Sequence, residues 1–115
     1  MTLLRRGDIV LIDFAPARAA EVNFTRPAVI VTNNEANAHA PVIMVVPLTG
    51  NLERVYPSEL VVKLERTGLN RDSKVQVQLM RHISVERVLK PLGYLPEDLM
   101  LELDLKILEH LALKR

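Results

Sequence analysis

The segment Thr25-Arg26-Pro27-Ala28-Val29-Ile30-Val31-Thr32 constrains this chain more than any other. From Ala28 it is apolar and β-branched without polar interruption, the pattern of a strand buried on both faces. Pro27 has no amide to give a sheet ladder, so it belongs at the strand's first turn or on an edge. It also pushes Arg26 into extended backbone. An arginine is thereby held, with restricted freedom, where a loop enters a rigid strand. Its guanidinium stays charged and presents a planar fork of donors suited to phosphate.

The rest of the chain supplies short strands around this one. Arg5-Arg6-Gly7-Asp8 is a turn, and residues 9–14 form a strong strand after it. Residues 15–24 have no clear period and a proline near their start, which predicts a long loop of the kind compact domains keep for function. Residues 33–41, polar and small, predict a second loop, and residues 42–49 a third buried strand. Pro47 should turn the end of that strand into an edge or a bulge. After a loop at 50–57 come a short strand at 58–62 and a turn-rich link at 67–73. Lys74-Val75-Gln76-Val77-Gln78-Leu79 alternates polar and apolar, as a half-buried antiparallel strand does. Ser84 can cap a single helical turn through Arg87, and residues 88–94 make a last short strand containing Pro91 and Gly93.

Pro96, followed by Glu97 and Asp98, opens the one helix. Leu99, Leu103, Ile107 and Leu111 recur at four, Met100, Leu105 and Leu108 widen the stripe, and Lys114 and Arg115 suit the C-terminal end of the dipole. So broad an apolar surface predicts a helix that buries more than one face, on the sheet and against a second subunit. About six short strands with a terminal helix predict a mainly β, α+β domain spanning 1–115, built as a small antiparallel curled sheet or barrel.

Composition removes several kinds of chemistry. The 115 residues include no Cys, which excludes disulfides, thiolate metal sites and cysteine nucleophiles. No apolar run approaches a membrane span and the N-terminus lacks a signal-peptide core, so a cytoplasmic protein without membrane partners is expected. His39, His82 and His110 are not paired by spacing, and no HxH or HExxH occurs, so neither a metal nor another cofactor is expected. GxGxxG, GxxxxGK[ST] and GxSxG are absent too. With a net charge of +1, any nucleic-acid site must come from clustering of charge. Two Phe, two Tyr and no Trp leave few rings for a broad stacking platform. What remains is a set of polar residues at strand ends: Glu21, Arg26, Thr49 and Arg81. Neighbouring strands of a small barrel would gather them at one mouth, where two arginines and a hydroxyl make a clamp for a phosphodiester.

The run Arg6-Gly7-Asp8-Ile9-Val10, the loop with Glu21, and Arg26-Pro27-Ala28-Val29-Ile30-Val31 closely resemble the N-terminal half of MazF/PemK-type toxins. Thr49 at the end of the third strand, Asp72-Ser73, Arg81-His82-Ile83 and Arg87-Val88-Leu89 extend the resemblance over nearly the whole chain. It implies an SH3-like barrel, a homodimer, and a metal-independent endoribonuclease that cuts single-stranded RNA, with Arg26 and Thr49 as catalytic residues. The implied reaction is attack by the 2′-hydroxyl on the adjacent phosphorus, leaving a 2′,3′-cyclic phosphate and a 5′-hydroxyl. The expected RNA contacts are Glu21, Asn23, Thr25, Asn51, Gln78 and Arg81, and the implied protein partner is an acidic, partly disordered antitoxin. Two departures bear on target sequence more than on chemistry. The family loop often reads GxEQxGxRP, whereas here it is Ala19-Ala20-Glu21-Val22-Asn23-Phe24-Thr25-Arg26-Pro27, and Leu79 stands where the family tends to carry Gln. CcdB-type toxins share the implied barrel but act on gyrase by protein contact through the C-terminal helix, and they are the alternative.

Overall fold

The computed structural model describes residues 3–14 and 25–113. Seven strands pair antiparallel: β1 Asp8–Asp13, β2 Thr25–Ile30, β3 Val42–Thr49, β4 Glu59–Val62, β5 Ser73–Gln76, β6 Arg81–Ser84 and β7 Val88–Tyr94. The sheet runs β4-β5-β3-β2-β1-β7, with β6 joining β3 beside that path. Three helices accompany it, α1 Asn34–His39, α2 Leu64–Thr67 and α3 Glu97–His110. The fold is therefore the mainly β, α+β sheet with a C-terminal helix that the pattern predicts, with one strand more than expected. Among the described residues no helix is long and apolar enough to cross a membrane. The predicted loop at 15–24, with Glu21 and Asn23, lies outside the described residues.

β2 sits between β1 and β3, and its two faces feed two separate cores. Val29 packs with Ile9, Val46, Leu48 and Val75 on one side, where Leu99, Met100 and Leu103 of α3 cover them. Ala28 and Ile30 pack with Val10, Ile12, Ile43, Val45 and Ile83 on the other. The double burial inferred from the unbroken apolar run is what the sheet uses. Pro27 is tolerated in a central strand because it pairs with Leu11 of β1, and the ladder to β3 begins only at Ala28.

β3 serves two partners along its other edge. Its first half pairs with β6 and its last two residues with β5. Between them residues 77–79 leave the ladder as a 3₁₀ turn, opposite the stretch of β3 that carries Pro47. A proline has no amide to bond, so a bulge in the partner chain is well placed there. This overturns the single strand expected over 74–79: the strand stops at Gln76. Nor is its polar side open to solvent, since Lys74 is buried and Gln76 half-buried.

Other departures are short-range. Residues 34–39 form a helix where a loop was expected, because Asn33 caps it by accepting the Ala36 amide (2.9 Å). Residues 64–67 form a single turn that ends at Gly68 in the left-handed region (φ 84°). Ser84 caps a 3₁₀ turn as predicted, accepting from the Glu86 amide (3.3 Å). Arg6 ties the N-terminal turn to α3 through an ion pair with Asp104 and donates Nε to Val31 O (2.8 Å). Within this chain α3 buries one face only: Leu101 and Leu105 remain 60% and 44% exposed.

Gly93 on the edge strand β7 lies where a Cβ would come within 2.1 Å of Thr67 O. That oxygen belongs to the backbone at the end of α2 and cannot swing aside. Gly93→Ala is expected to cost about 1–3 kcal/mol, as overpacked sites do, seen as a lower urea midpoint with an unchanged denaturant slope.

Candidate active site

The β2–β3 register explains why two residues far apart in sequence meet. Ala28 faces Pro47, Val29 faces Val46 and Ile30 faces Val45. Continued by two residues, the same register sets Arg26 across from Thr49. Thr49 in turn faces Lys74 of β5, and Gln76 of β5 faces Glu59 of β4. Residues directly opposite in an antiparallel sheet share a face, as do residues two apart on one strand. Arg26, Thr49, Lys74, Gln76 and Glu59 therefore lie on one face. It is the face turned away from α3, and it passes from apolar at Ile30 and Val45 to polar at Arg26 and Thr49.

Arg26 is held without a carboxylate. Its Nη2 donates to Leu48 O (3.0 Å) and to Gln76 Oε1 (2.7 Å), and no ion pair joins it among the described residues. Burial lowers its pKa from the usual arginine value, because desolvation disfavours the charged form. Thr49 Oγ1 accepts from the Asn51 amide (3.3 Å), which leaves the hydroxyl proton to be donated outward.

Beneath them lies a buried ion pair. The Glu59 side chain is fully buried, and its Oε1 accepts from Lys74 Nζ (2.9 Å) and the Tyr56 amide (2.9 Å). Oε2 accepts from Gln76 Nε2 (3.2 Å) and Gln78 Nε2 (2.7 Å). Burial by itself pushes this carboxyl up, but the donors from Tyr56, Gln78, Lys74 and Gln76 favour the ionised form and together hold it at about 2. Lys74 Nζ also donates to Arg54 O.

Those contacts, with Lys106 of α3 donating to Pro57 O (2.9 Å), pin the 50–57 loop over the sheet. Asn51 Oδ1 accepts from the Glu53 amide (3.0 Å) and tightens the loop's start. The result is an open cleft of about 510 Å³ lined by Arg26, Thr49, Asn51, Glu53, Arg54, Tyr56, Lys74 and Gln76. The Tyr56 ring is 48% exposed at its rim, with the Arg54 guanidinium and Lys74 Nζ each 5.9 Å from its centroid. Among the described residues no three His, Cys, Asp or Glu side chains gather as a metal site.

Of the residues singled out in the sequence, the fold brings Arg26, Thr49 and Asn51 into this cleft. Gln78 stands behind it, bonded to Glu59 and accepting from Ser58 Oγ (2.7 Å). Thr25 is exposed one residue before Arg26 and faces Asp13. Arg81 pairs with Val45, and its guanidinium lies 5.4 Å from the Phe14 ring centroid, outside the cleft lining. Sequence reasoning missed Tyr56, Glu59, Lys74 and Gln76. The one available signal was Lys74 and Gln76 on the polar side of an alternating strand, which ordinarily means solvent.

Residues 5–111 match the model of the family described as the PemK-like, MazF-like toxin of type II toxin–antitoxin systems. The chain belongs to that family. It is 41% identical over 116 residues to endoribonuclease MazF9 of Mycobacterium tuberculosis, covering 96% of this chain and 98% of the relative. In fold it is similar to MazF of Deinococcus radiodurans (TM-score 0.83, 21% identity, 98% of this chain and all of the other). It is also similar in fold, over its full length, to a mycobacterial endoribonuclease solved with its cognate antitoxin (TM-score 0.79, 19% identity, 99% of that chain covered).

The buried carboxylate gives this family member a specific acid sensitivity. Glu59 binds its proton more weakly folded than unfolded, so its contribution to stability is whole above the ordinary glutamate value of 4.5 and is lost as pH falls through about 2. Urea unfolding between those pH values should show stability falling, with a shallower slope in Glu59→Gln made together with Lys74→Met.

Proposed function

We propose that this chain is a cytoplasmic, metal-independent endoribonuclease toxin that cuts single-stranded RNA by attack of a 2′-hydroxyl on the adjacent phosphorus. The observation that carries it is the juxtaposition of Arg26 and Thr49 at the end of paired strands, with neutral acceptors alone holding the guanidinium among the described residues. An arginine so held keeps its full charge for a dianionic phosphorane. The bond from O2′ to phosphorus forms as that from phosphorus to O5′ breaks, with a proton lost at O2′ and one gained at O5′. Arg26 neutralises the phosphorane and donates toward the leaving oxygen, while the Thr49 hydroxyl donates to a non-bridging oxygen. Glu59 does not serve as the base, since it is buried and fully occupied by donors.

Unstacked bases are read at the rim of the cleft. Asn51 lies in it, and the exposed Tyr56 ring between two cations offers a surface on which one base can stack. Thr25, Gln78 and Arg81, with Glu21 and Asn23, extend the contact to flanking nucleotides. The kinship with MazF9 of M. tuberculosis supports this activity. An antitoxin is the natural protein partner for a member of a toxin–antitoxin family. In this reading an acidic, partly disordered segment covers the same basic cleft and folds on binding. Residues 1–115 act as one domain, and two copies pair through apolar surface that a single chain leaves open, such as the outer leucines of α3.

Mixed-sequence RNA incubated with the protein in chelator should yield fragments ending in 2′,3′-cyclic phosphate and 5′-hydroxyl. A 5′-phosphate product, or activity restored only by magnesium, would reject the mechanism. Arg26→Ala should lose about 10²–10³ in rate, the usual loss for one donor to a developing oxyanion, and Arg26→Lys should recover only part of it. Thr49→Ala should slow cleavage with RNA binding largely kept, and Thr49→Ser should be milder. Tyr56→Ala should weaken binding by about 1–3 kcal/mol, the range for base–aromatic stacking, in a fluorescence titration with a non-cleavable 2′-deoxy oligonucleotide. Light scattering at micromolar concentration should return the mass of a dimer.

A further inference from the structure

We infer that Glu59 is a positioning residue for Arg26, acting through the side-chain amide of Gln76; this rests on the endoribonuclease reading above. An ionised carboxylate can only accept hydrogen bonds, so Glu59 Oε2 obliges Gln76 to present Nε2 to it (3.2 Å). The amide is planar, and its Oε1 is then turned toward β2, where it accepts from Arg26 Nη2 (2.7 Å). The bond between Gln76 and Glu59 is cross-strand, between residues directly opposite in the β4–β5 register. Leu48 O supplies the second acceptor to the same nitrogen (3.0 Å), which fixes the plane of the guanidinium.

The intermediary matters because of charge. A carboxylate placed directly against Arg26 would orient it equally well but would cancel the positive charge that a phosphorane needs. Here the carboxylate stands one residue back, and Lys74 Nζ at 2.9 Å neutralises it. Among the described residues Arg26 meets only neutral acceptors, the Gln76 amide and Leu48 O. Gln78, whose Nε2 binds Glu59 Oε2 (2.7 Å), steadies the carboxylate from the opposite side. The arrangement uses a buried ion pair to set the direction of an amide, and the amide to set the direction of an arginine that pairs with no carboxylate among the described residues.

The test compares steady-state cleavage of an RNA oligonucleotide carrying a site mapped from the wild-type products. Gln76→Met keeps the length of the side chain and the Glu59–Lys74 pair but removes the acceptor. It should lower kcat by up to about 10²-fold, the cost of a misplaced catalytic group, with KM little changed and the thermal midpoint near that of the wild type. Glu59→Gln alone leaves Lys74 buried without its partner and endangers the fold, so it is made together with Lys74→Met. That double variant should show the same selective loss in kcat, and adding Gln76→Met to it should cost nothing more, as groups acting in one line do. Wild-type kcat in Gln76→Met, a loss confined to KM, or additive losses would overturn the relay while the Arg26 site stands, provided Arg26→Ala is inactive in the same assay. Should Arg26→Ala cleave as the wild type does, both the relay and the site assignment fall.

Discussion

Strand β3 is the constraint on which the rest of the molecule depends. It bonds β2 along one edge, and on the other it bonds β6 and then β5, so three of the six strand pairings among the described residues run through its eight residues. Val46 and Leu48 face α3 while Ile43 and Val45 face the second core, and that alternation commits each neighbour's register. A slip of one residue would bury Thr49 under α3 and expose Leu48, so the register is strongly specified. Because β2 takes its register from β3, the position of Arg26 is decided by apolar packing several residues away. The site inherits its precision from the core.

The same sheet also explains how a polar site survives at the edge of an apolar face. Glu59, Lys74 and Gln76 fill ground that would otherwise take hydrophobic side chains. Desolvating two charges is expensive, and their mutual attraction repays this only when the remaining lone pairs and protons are bonded. Here the four donors to Glu59 and the carbonyl acceptor of Arg54 for Lys74 meet that condition. Replacement by apolar residues could serve stability equally well. What such a replacement could not do is hold Gln76 toward Arg26 or pin the Tyr56 amide, so the polar cluster is better understood as a device for orientation.

Two apolar features are left without cover in a single chain. One is the outer face of α3, with Leu101 and Leu105 exposed, and the other is the apolar cleft lined by Leu3, Leu4, Val10, Val85, Val88 and Pro91. Patches of this kind mark surfaces that meet other molecules. They lie apart from the Arg26 cleft, so assembly and catalysis draw on different parts of the sheet.

Legibility in the sequence followed how local each cause was. The unbroken run from Ala28, the Ser84 cap and the four-residue repeat of Leu99, Leu103 and Ile107 are short-range signals, and each produced the element it predicts. Arg26 could be singled out because Pro27 restricts it, and Thr49 because it ends a strand. The helix at 34–39 was hidden because its small and polar residues carry no apolar period, and only the Asn33 cap announces it. The strand expected over 74–79 was cut short because Pro47, on a different strand, removes a bonding partner opposite it. Burial of Lys74 and Gln76 was equally invisible, since it depends on Glu59 arriving from β4 with matching charge and register. The sequence by itself determined that β1, β2 and β3 are strands and which arginine stands at the mouth of β2, because backbone restriction and hydrophobic period act over a few residues. Only the tertiary structure decided what that arginine meets: the pairing of β2 with β3 and of β3 with β5 brings Arg26 to Gln76, 50 positions away, and no local pattern carries the free energy that selects such pairings.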